Sequence, residues 1–287
     1  MKMEERKRIS AFREWKDFTV EYLEIMFGDK KNLLISLLFP LLAAFIVVWI
    51  AGENMYVQYE GTKSGNFVIV SAAIWGGLFN SIQTVVKDRA NVKRSYVAGA
   101  RIRCYTLSRA LIQLVLCIFQ SAILTVSYVG VQMKYDNELP DTGIIFNNTL
   151  AEFFVTILLL MYAADAMGLM ISCIVRKEET ANVMAPYILI VQLIFSGILF
   201  DMEGAANYVS YIMISRWGME GLGSTSRLND LPLKLAEQAP MLEKEFEDRF
   251  DATSEHLIMV WLILLAFSVI SVILGNILLH RVSKDSK

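Results

Sequence analysis

Six long apolar stretches constrain, more than any other feature, what this chain can fold into. Each is long enough to cross a hydrocarbon core of about 30 Å as an α-helix. A helix satisfies its own backbone hydrogen bonds, which lipid cannot do, so helices are the expected spanning elements. The stretches lie at residues 32–51, 66–86, 106–130, 150–175, 180–200 and 257–279. The sequence therefore predicts an all-α integral membrane protein with six transmembrane helices.

Lysine and arginine are distributed unevenly between the segments that join these stretches. Lys63 is the lysine of the first predicted exterior loop, and Lys134 is that of the second. The predicted interior segments are much more basic, with Lys2, Arg6, Lys7, Arg8, Arg13, Lys16, Lys30, Lys31, Lys87, Arg89, Lys93, Arg94, Arg101, Arg103, Arg176, Lys177, Arg281, Lys284 and Lys287. Because short cytoplasmic loops are enriched in these residues, both termini are predicted to be cytoplasmic and the protein to be multi-pass in the plasma (cell inner) membrane.

Composition narrows the possible functions. The chain is 55% apolar, which exceeds the usual share in soluble domains. No nucleic-acid partner is expected, because topology and contact with anionic membrane lipid already explain the basic inner segments. No cleavable signal peptide is evident, and Cys104, Cys117 and Cys173 predict no exterior disulfide. His256 and His280 lie too far apart in the sequence to suggest a metal site.

Residues 9–28, which precede the first apolar stretch, have an amphipathic helical pattern. The predicted apolar face consists of Phe12, Trp15, Phe18, Tyr22, Ile25 and Met26. Such a helix can lie in the cytoplasmic membrane interface or pack on a soluble partner, and the pattern leaves both interpretations open. We assign residues 1–31 to a cytoplasmic N-terminus that contains this amphipathic connecting helix, and residues 32–287 to the six-helix transmembrane domain.

Two connecting segments have their own character. The interior loop 87–103 is short and basic, and its mixture of charged and apolar side chains suits docking on another protein; a simple topology signal is the alternative. The exterior loop 201–256 is much longer. Its residues 208–222 are apolar but too short to span, which favours a re-entrant or interfacial segment, and residues 228–255 are predicted to form an acidic, solvated cap.

Chemistry-bearing motifs are few. The sequence contains no GxxxxGK[ST] phosphate-binding loop, no catalytic residues are predicted, and the chain is not expected to be an enzyme by itself. Asp165 is the carboxylate predicted to lie deep in a span, where an ionisable residue is expensive. It has either a structural role, protonated or bonded to a neighbouring helix, or a role in proton-coupled transport. Polar span residues such as Asn80, Gln83 and Gln192 either join helices or line a path.

Local motifs in the order of these elements resemble one known family. Asp88-Arg89, Lys93-Arg94, Gly99 and Tyr105-Thr-Leu-Ser-Arg109 form one run, and Phe195-Ser-Gly-Ile-Leu-Phe200 is followed by Ile214-Ser-Arg-Trp217 and Met219-Glu-Gly-Leu222. Together they resemble the transmembrane permease subunit of a type-2 ATP-binding-cassette exporter, nearest its G-subfamily. The resemblance implies an ATPase-coupling segment at Asp88, Arg89, Lys93, Arg94 and Tyr96. It also suggests a candidate translocation path lined by Asn80, Gln83, Gln192, Phe195 and Phe200.

The function implied by this resemblance is export of a lipid-like, peptide or other amphiphilic substrate. ATPase subunits would hydrolyse Mg-ATP on a separate chain, and no cofactor is expected on this one. A second permease subunit, identical or different, would complete the membrane part. Two alternatives from other classes remain: a membrane scaffold or sensor whose acidic exterior cap binds a partner, and a secondary transporter that uses Asp165.

Overall fold

A computed structural model describes residues 10–50, 53–135, 137, 140, 142–200, 202–233 and 246–281. The described residues form α-helices and short turns, and contain no β-strand. Ten α-helices follow one another in this described part of the chain: α1 (Ala11–Gly28), α2 (Lys30–Ile50), α3 (Tyr59–Ser81), α4 (Thr84–Val97), α5 (Ile102–Tyr135), α6 (Thr149–Ile174), α7 (Glu178–Ile194), α8 (Gly204–Ser210), α9 (Ile214–Thr225) and α10 (Ser254–Leu279). The all-α prediction is confirmed.

Helix α6 lies at the centre of the fold and packs against α3, α5, α9 and α10. Its side chains Phe153, Ile157 and Leu160 are fully buried in the largest apolar cluster of the protein. By contrast, α2 packs mainly on α5 and α3. Its side chains Phe45 and Trp49 are 65% and 70% exposed. Apolar side chains on the outside of a helical bundle are stable in lipid, so α2 and the outer side of α10 are suited to face the membrane.

Among the residues that the structure describes, five helical segments are long and apolar enough to cross a membrane: Lys30–Trp49, Tyr59–Val97, Ile102–Tyr135, Thr149–Ile174 and Ser254–Leu279. They correspond to the predicted spans one to four and six. At the predicted fifth span, 180–200, the structure differs from the expectation. Its helix α7 has 17 residues and ends at Ile194, and the chain continues to Phe200 without helix. A helix of this length covers about 26 Å, which is short for a bilayer core.

Glycine brings α3 and α6 unusually close together. A Cβ atom built on Gly77 would lie 2.2 Å from the backbone oxygen of Met161, and one on Gly168 would lie 2.7 Å from that of Leu78. Small residues allow backbones in membrane helix pairs to approach in this way. Gly77 therefore permits the close approach of α3 to α6. Its neighbour Gly76 is different, because its nearest contact is the Phe39 ring at 3.5 Å.

Helices α1 and α4 gather at one end of the bundle. Ser10 caps α1, accepting a hydrogen bond from the amide of Arg13 at 3.3 Å, so the helix begins close to the predicted start. The predicted apolar face is divided between two environments. Phe18 packs edge-on against Tyr105 of α5, whereas Phe12 is 72% exposed. Such an exposed aromatic suits either of the surfaces proposed for this helix, a membrane interface or a partner protein.

At the opposite end, the long segment after α7 folds back onto the bundle. Helix α8 is largely exposed, and Tyr208 on it is 78% exposed. Helix α9 packs against α3, α6 and α10, and Trp217 on it is buried with its indole N–H donating to the carbonyl of Tyr211 at 2.9 Å. The described ends of the predicted acidic cap dock on the start of α3, where Leu228 and Phe250 form a small apolar cluster. The centre of the cap lies outside the described residues.

Candidate functional site

The predicted coupling segment is a surface helix with two different sides. Gly99, at φ +96°, adopts the left-handed conformation that suits glycine and turns the chain from α4 into α5. The outward side of α4 is exposed at intervals of three or four residues, and its members are Lys87, Ala90, Asn91, Arg94 and Val97. We call these five residues the α4 face. Val97 is apolar and 76% exposed, next to the exposed cation Arg94.

Two of the five predicted coupling residues point into the protein. The Asp88 carboxylate pairs with the guanidinium of Arg109 at 3.0 Å and accepts a hydrogen bond from the Tyr105 hydroxyl at 3.0 Å. Arg89 donates to the carbonyl oxygens of Cys173 at 3.2 Å and Val175 at 3.0 Å, where α6 ends. Asp88 and Arg89 therefore attach α4 to α5 and α6.

The other three predicted coupling residues are more accessible. Arg94 belongs to the α4 face and is exposed, whereas Lys93 and Tyr96 are half-buried. The Tyr96 ring lies edge-on against His280, 6.2 Å between centroids, where α10 ends. The predicted set thus divides into an inward pair, a half-buried pair and one exposed cation.

Arg109 is the centre of the inward cluster, although the sequence pattern assigned it no separate role. Its side chain is 1% exposed. The Tyr22 ring of α1 and the Tyr105 ring lie 4.1 Å and 4.4 Å from its guanidinium carbon, and it donates to the carbonyl of Phe18 at 3.2 Å. Burial raises the pKa of Tyr22, so its phenol stays protonated beside the cation. The available signal was an arginine within an apolar stretch, where an ionisable residue needs a partner.

A chain of polar side chains continues from this cluster into the bundle. Gln113 donates through its amide nitrogen to the Tyr22 hydroxyl at 2.7 Å and to the carbonyl of Asn80 at 3.1 Å. Asn80 and Gln120 exchange two amide hydrogen bonds, at 2.6 Å and 3.0 Å. Ser36 of α2 adds a hydroxyl donor to Asn80 at 3.0 Å. Four helices are therefore joined by hydrogen bonds, as expected of polar residues within a bundle.

A cavity of about 540 Å³ opens beside these side chains. Its walls come from helices α1 to α5. Asp29, Lys87, Asp88 and Arg109 bring charges to it, and the aromatic rings of Phe39, Trp75 and Phe79 line it together with other apolar side chains. This size is ordinary for a small-molecule site.

The five candidate path residues lie in separate places. Asn80 and Gln83 line the cavity, and Gln83 donates to the Asn182 side chain of α7. Gln192 is buried near the other end of the bundle, where its side-chain oxygen accepts from the amide of Ser215 at 3.2 Å. Phe195 is half-buried and Phe200 is 61% exposed. One chain therefore does not bring these residues around a single passage.

Asp165 is fully buried in α6, and neither of its carboxylate oxygens has a hydrogen-bond partner among the described residues. The bond between helices at this position is made by its backbone instead, because the Ser81 hydroxyl of α3 donates to the Asp165 carbonyl. The role of this carboxyl group stays a prediction. In the described part of the chain no group of three or more His, Cys, Asp and Glu side chains is placed to hold a metal ion.

A second, smaller cavity of about 270 Å³ lies at the end that carries α8 and α9. Its arginines are already paired. Arg216 contacts Glu220 at 2.8 Å and stacks on the Tyr211 ring at 3.7 Å, and Arg249 donates to the carbonyl of Gly197 at 2.8 Å. Burial raises the pKa of Glu220, and the neighbouring Arg216 opposes that shift. These pairs join parts of the segment between α7 and α10 to one another.

The sequence of this chain is similar to those of known proteins. Residues 18–225 match the membrane-domain family described as ABC-2 type transporter. The chain is also 20% identical over 225 residues to an ABC transporter ATP-binding/permease protein from Mycobacterium tuberculosis. That similarity covers 75% of this chain and 26% of the relative, so the chain spans about a quarter of the protein that it matches.

Proposed function

The chain belongs to the ABC-2 type transporter family, and on this basis we propose that it is the permease part of an ATP-driven exporter. It is a multi-pass membrane component, and its family works with ATP-binding-cassette partners. In the proposal, ATP hydrolysis on a separate nucleotide-binding subunit drives an amphiphilic substrate outward between this chain and a second permease subunit. The Mycobacterium tuberculosis relative carries both activities in its name, which supports the pairing of these two kinds of domain.

The observation that carries the proposal is the α4 face together with its attachments. The outward side of α4 leaves a cation, Arg94, next to the apolar Val97, both exposed. The inward side is fixed to α5 through Asp88 and to the end of α6 through Arg89. A force applied by an ATPase to the α4 face therefore reaches two spanning helices directly. If α4 lacked these attachments, a docked ATPase would move α4 alone. If the outward side of α4 were buried, the ATPase could not bind it.

The test is to alter the α4 face and leave its attachments unchanged. The double variant Arg94→Glu with Val97→Asp should weaken association with the co-purifying ATPase by about 10- to 100-fold, since it reverses one charge and removes one apolar contact. The measurement is the dissociation constant between the purified chain in nanodiscs and that ATPase, together with substrate-stimulated ATP hydrolysis.

The matched control reverses two charges on another exposed site. Lys30 and Lys31 begin α2 and are exposed, so Lys30→Glu with Lys31→Glu should leave the affinity within about twofold of the parent, as exposed charges away from an interface contribute little. Unchanged affinity in the α4 double variant would refute docking on this face. If no ATP-binding protein co-purifies with the gently solubilised chain, the exporter proposal itself fails.

We further propose that the chain crosses the membrane six times with both ends in the cytoplasm. In this arrangement α7 and the non-helical residues 195–200 together form the fifth crossing, and α9 is the re-entrant element, inserted from outside. The burial of α9 among three spanning helices supports this arrangement. So does the segregation of basic residues along the sequence, which favours a cytoplasmic location for the α4 end.

Single cysteines test this topology at exposed positions, because the native Cys104, Cys117 and Cys173 are free and buried. Asn147→Cys and Glu203→Cys should react with an impermeant maleimide added to intact cells. Asn91→Cys should react only after the membrane is made permeable. Labelling of position 203 from the inside would show that the chain does not make the fifth crossing. Labelling of position 91 in intact cells would show that the orientation is opposite to the one proposed.

A further inference from the structure

The smaller cavity, of about 270 Å³ beside α8 and α9, has polar walls. Of the described residues that line it, only Met202 has an apolar side chain; the others are Ser196, Gly197, Asn207, Ser210, Arg216, Glu247 and Arg249. Drug-sized ligands usually occupy pockets of about 300–1,000 Å³, so this cavity suits a smaller ligand or the head group of a larger one. Such a ligand is recognised by charge and hydrogen bonds, because the walls offer little apolar surface.

Positive charge exceeds negative charge at this cavity. Among its described lining residues, the two arginines Arg216 and Arg249 and the one carboxylate of Glu247 leave an excess of one positive charge. The ion-pair partners just outside, Glu220 and Lys63, contribute one charge of each sign and do not change the excess. Burial raises the pKa of Glu220, and Arg216 and Arg249 both oppose that shift, so the two cations lie within electrostatic reach of one carboxylate. The charge of the cavity therefore favours an anion.

The hydrogen bonds within the walls use acceptors and leave donors free. Arg216 donates through Nη1 to the side-chain oxygen of Asn207 at 2.7 Å and to the Ser210 hydroxyl at 2.5 Å, and Arg249 donates to the carbonyl of Gly197 at 2.8 Å. Because an arginine can only donate, the contact with Arg216 fixes the amide orientation of Asn207. The Asn207 nitrogen Nδ2 and the Arg216 nitrogen Nη2 have no partner among the described residues. A ligand must therefore bring acceptors.

A ligand can reach these free donors. Nδ2 of Asn207 and Nη2 of Arg216 both retain accessible surface, and the side chains of Arg216 and Arg249 are 13% and 24% exposed. Asn207 belongs to α8, Arg216 to α9 and Arg249 to the turn before α10, so the donors come from three different elements. Guanidinium groups match the oxygens of phosphates and carboxylates. An anion with more than two oxygens can accept from all three elements together.

We infer that this cavity binds a phosphate group, carried either by the free ion or by a lipid head. Arg216 and Arg249 supply charge-assisted hydrogen bonds, and Asn207 supplies a neutral donor. The surface beside the cavity has room for the apolar part of a lipid: the Tyr211 ring, on which Arg216 stacks, is 45% exposed, and Ile212 is 64% exposed. The site is formed by one chain, so it does not depend on the exporter proposal or on the orientation of the chain.

Binding of inorganic phosphate to the detergent-purified full chain tests this inference. The dissociation constant is obtained from the rise in unfolding temperature, with sodium gluconate used to hold the ionic strength constant. Asn207→Asp keeps the acceptor for Arg216, so the fold should survive, but it removes the free donor and the excess positive charge. We expect phosphate to bind this variant at least about tenfold more weakly, the effect of one hydrogen bond with a charged group. Asn147→Asp adds the same charge at an exposed position outside the cavity and should bind phosphate like the parent.

Two further measurements complete the test. Glu247→Gln removes the negative charge of the cavity and should strengthen phosphate binding by about fivefold, the effect of one unit charge at about 4 Å in water. A water-soluble phosphatidic acid with short acyl chains separates the two sources: binding at least about tenfold tighter than that of inorganic phosphate indicates a lipid head, and equal affinities indicate the free ion. The inference is overturned if neither probe binds the parent saturably, if Asn207→Asp binds them as the parent does, or if Glu247→Gln weakens binding.

Discussion

The Gly77→Ala variant is expected to lose more than about 3 kcal/mol of stability, at the upper end of what overpacking costs. The added methyl group would lie 2.2 Å from the Met161 carbonyl oxygen, and that oxygen belongs to the backbone of α6. A flexible side chain could move aside, but here two central helices would have to separate. The measurement is thermal unfolding of the detergent-purified variant, together with the fraction that elutes as a monodisperse species.

Gly76→Ala is the matched control, one residue earlier on the same helix. Its methyl group would meet the Phe39 ring at 3.5 Å, an ordinary contact, and alanine is a better helix former than glycine by about 0.5–1 kcal/mol. We expect this variant to be as stable as the parent or slightly more stable. Equal destabilisation by both substitutions would mean that the close approach of α3 to α6 is not what restricts position 77 to glycine.

The second large effect is expected at the buried cation. Arg109→Met should cost about 3 kcal/mol, because it leaves the Asp88 carboxylate in a mostly buried position without its counter-charge. The Tyr105 hydroxyl and the Asn91 amide still donate to Asp88, which keeps the loss near the lower end of the range for such pairs. Denaturant or thermal unfolding in the same detergent measures the difference in the free energy of unfolding between the variant and the parent.

A double-mutant cycle separates the charge pair from simple packing. If the uncompensated charge causes the loss, Asp88→Asn in the Arg109→Met background should recover at least about 1 kcal/mol, since the neutral amide costs less to bury. Arg109→Lys should be intermediate, because lysine keeps the charge but loses the planar group that stacks between the two tyrosine rings. No recovery in the double variant would assign the effect to packing alone.

Hydropathy predicted the helical nature of the fold and the approximate position of five spans, because burial in lipid requires long apolar helices. It failed at the end of the fifth stretch for a local reason. The apolar residues continue to Phe200, but α7 ends at Ile194 and Gly197 follows at φ +74°. Hydropathy describes the solvent that a segment prefers and carries no information on such a turn.

The candidate site was predictable only in part. The mixture of charged and apolar residues in α4 indicated a surface helix, and Arg94 lies on its exposed side as that interpretation requires. The inward direction of Asp88 depends on Arg109, which is 21 residues away and comes close only when α4 and α5 pack. The cavity likewise requires five helices, including α1. Contacts of this kind are set by tertiary structure, and no local pattern in one segment contains them.

The attachments of α4 hold its two ends differently. Asp88 and Arg89 are consecutive, yet they fix the helix to two different spanning helices. On one side of this pair, the amides of Val85 and Val86 donate to the Ser172 hydroxyl of α6 at 2.9 Å and 3.1 Å, so the end of α4 at the cavity wall is also held. At 1.5 Å per residue, Val97 lies about 12 Å to the other side. A partner that displaces the Val97 end of α4 therefore pulls on α5 and α6 together.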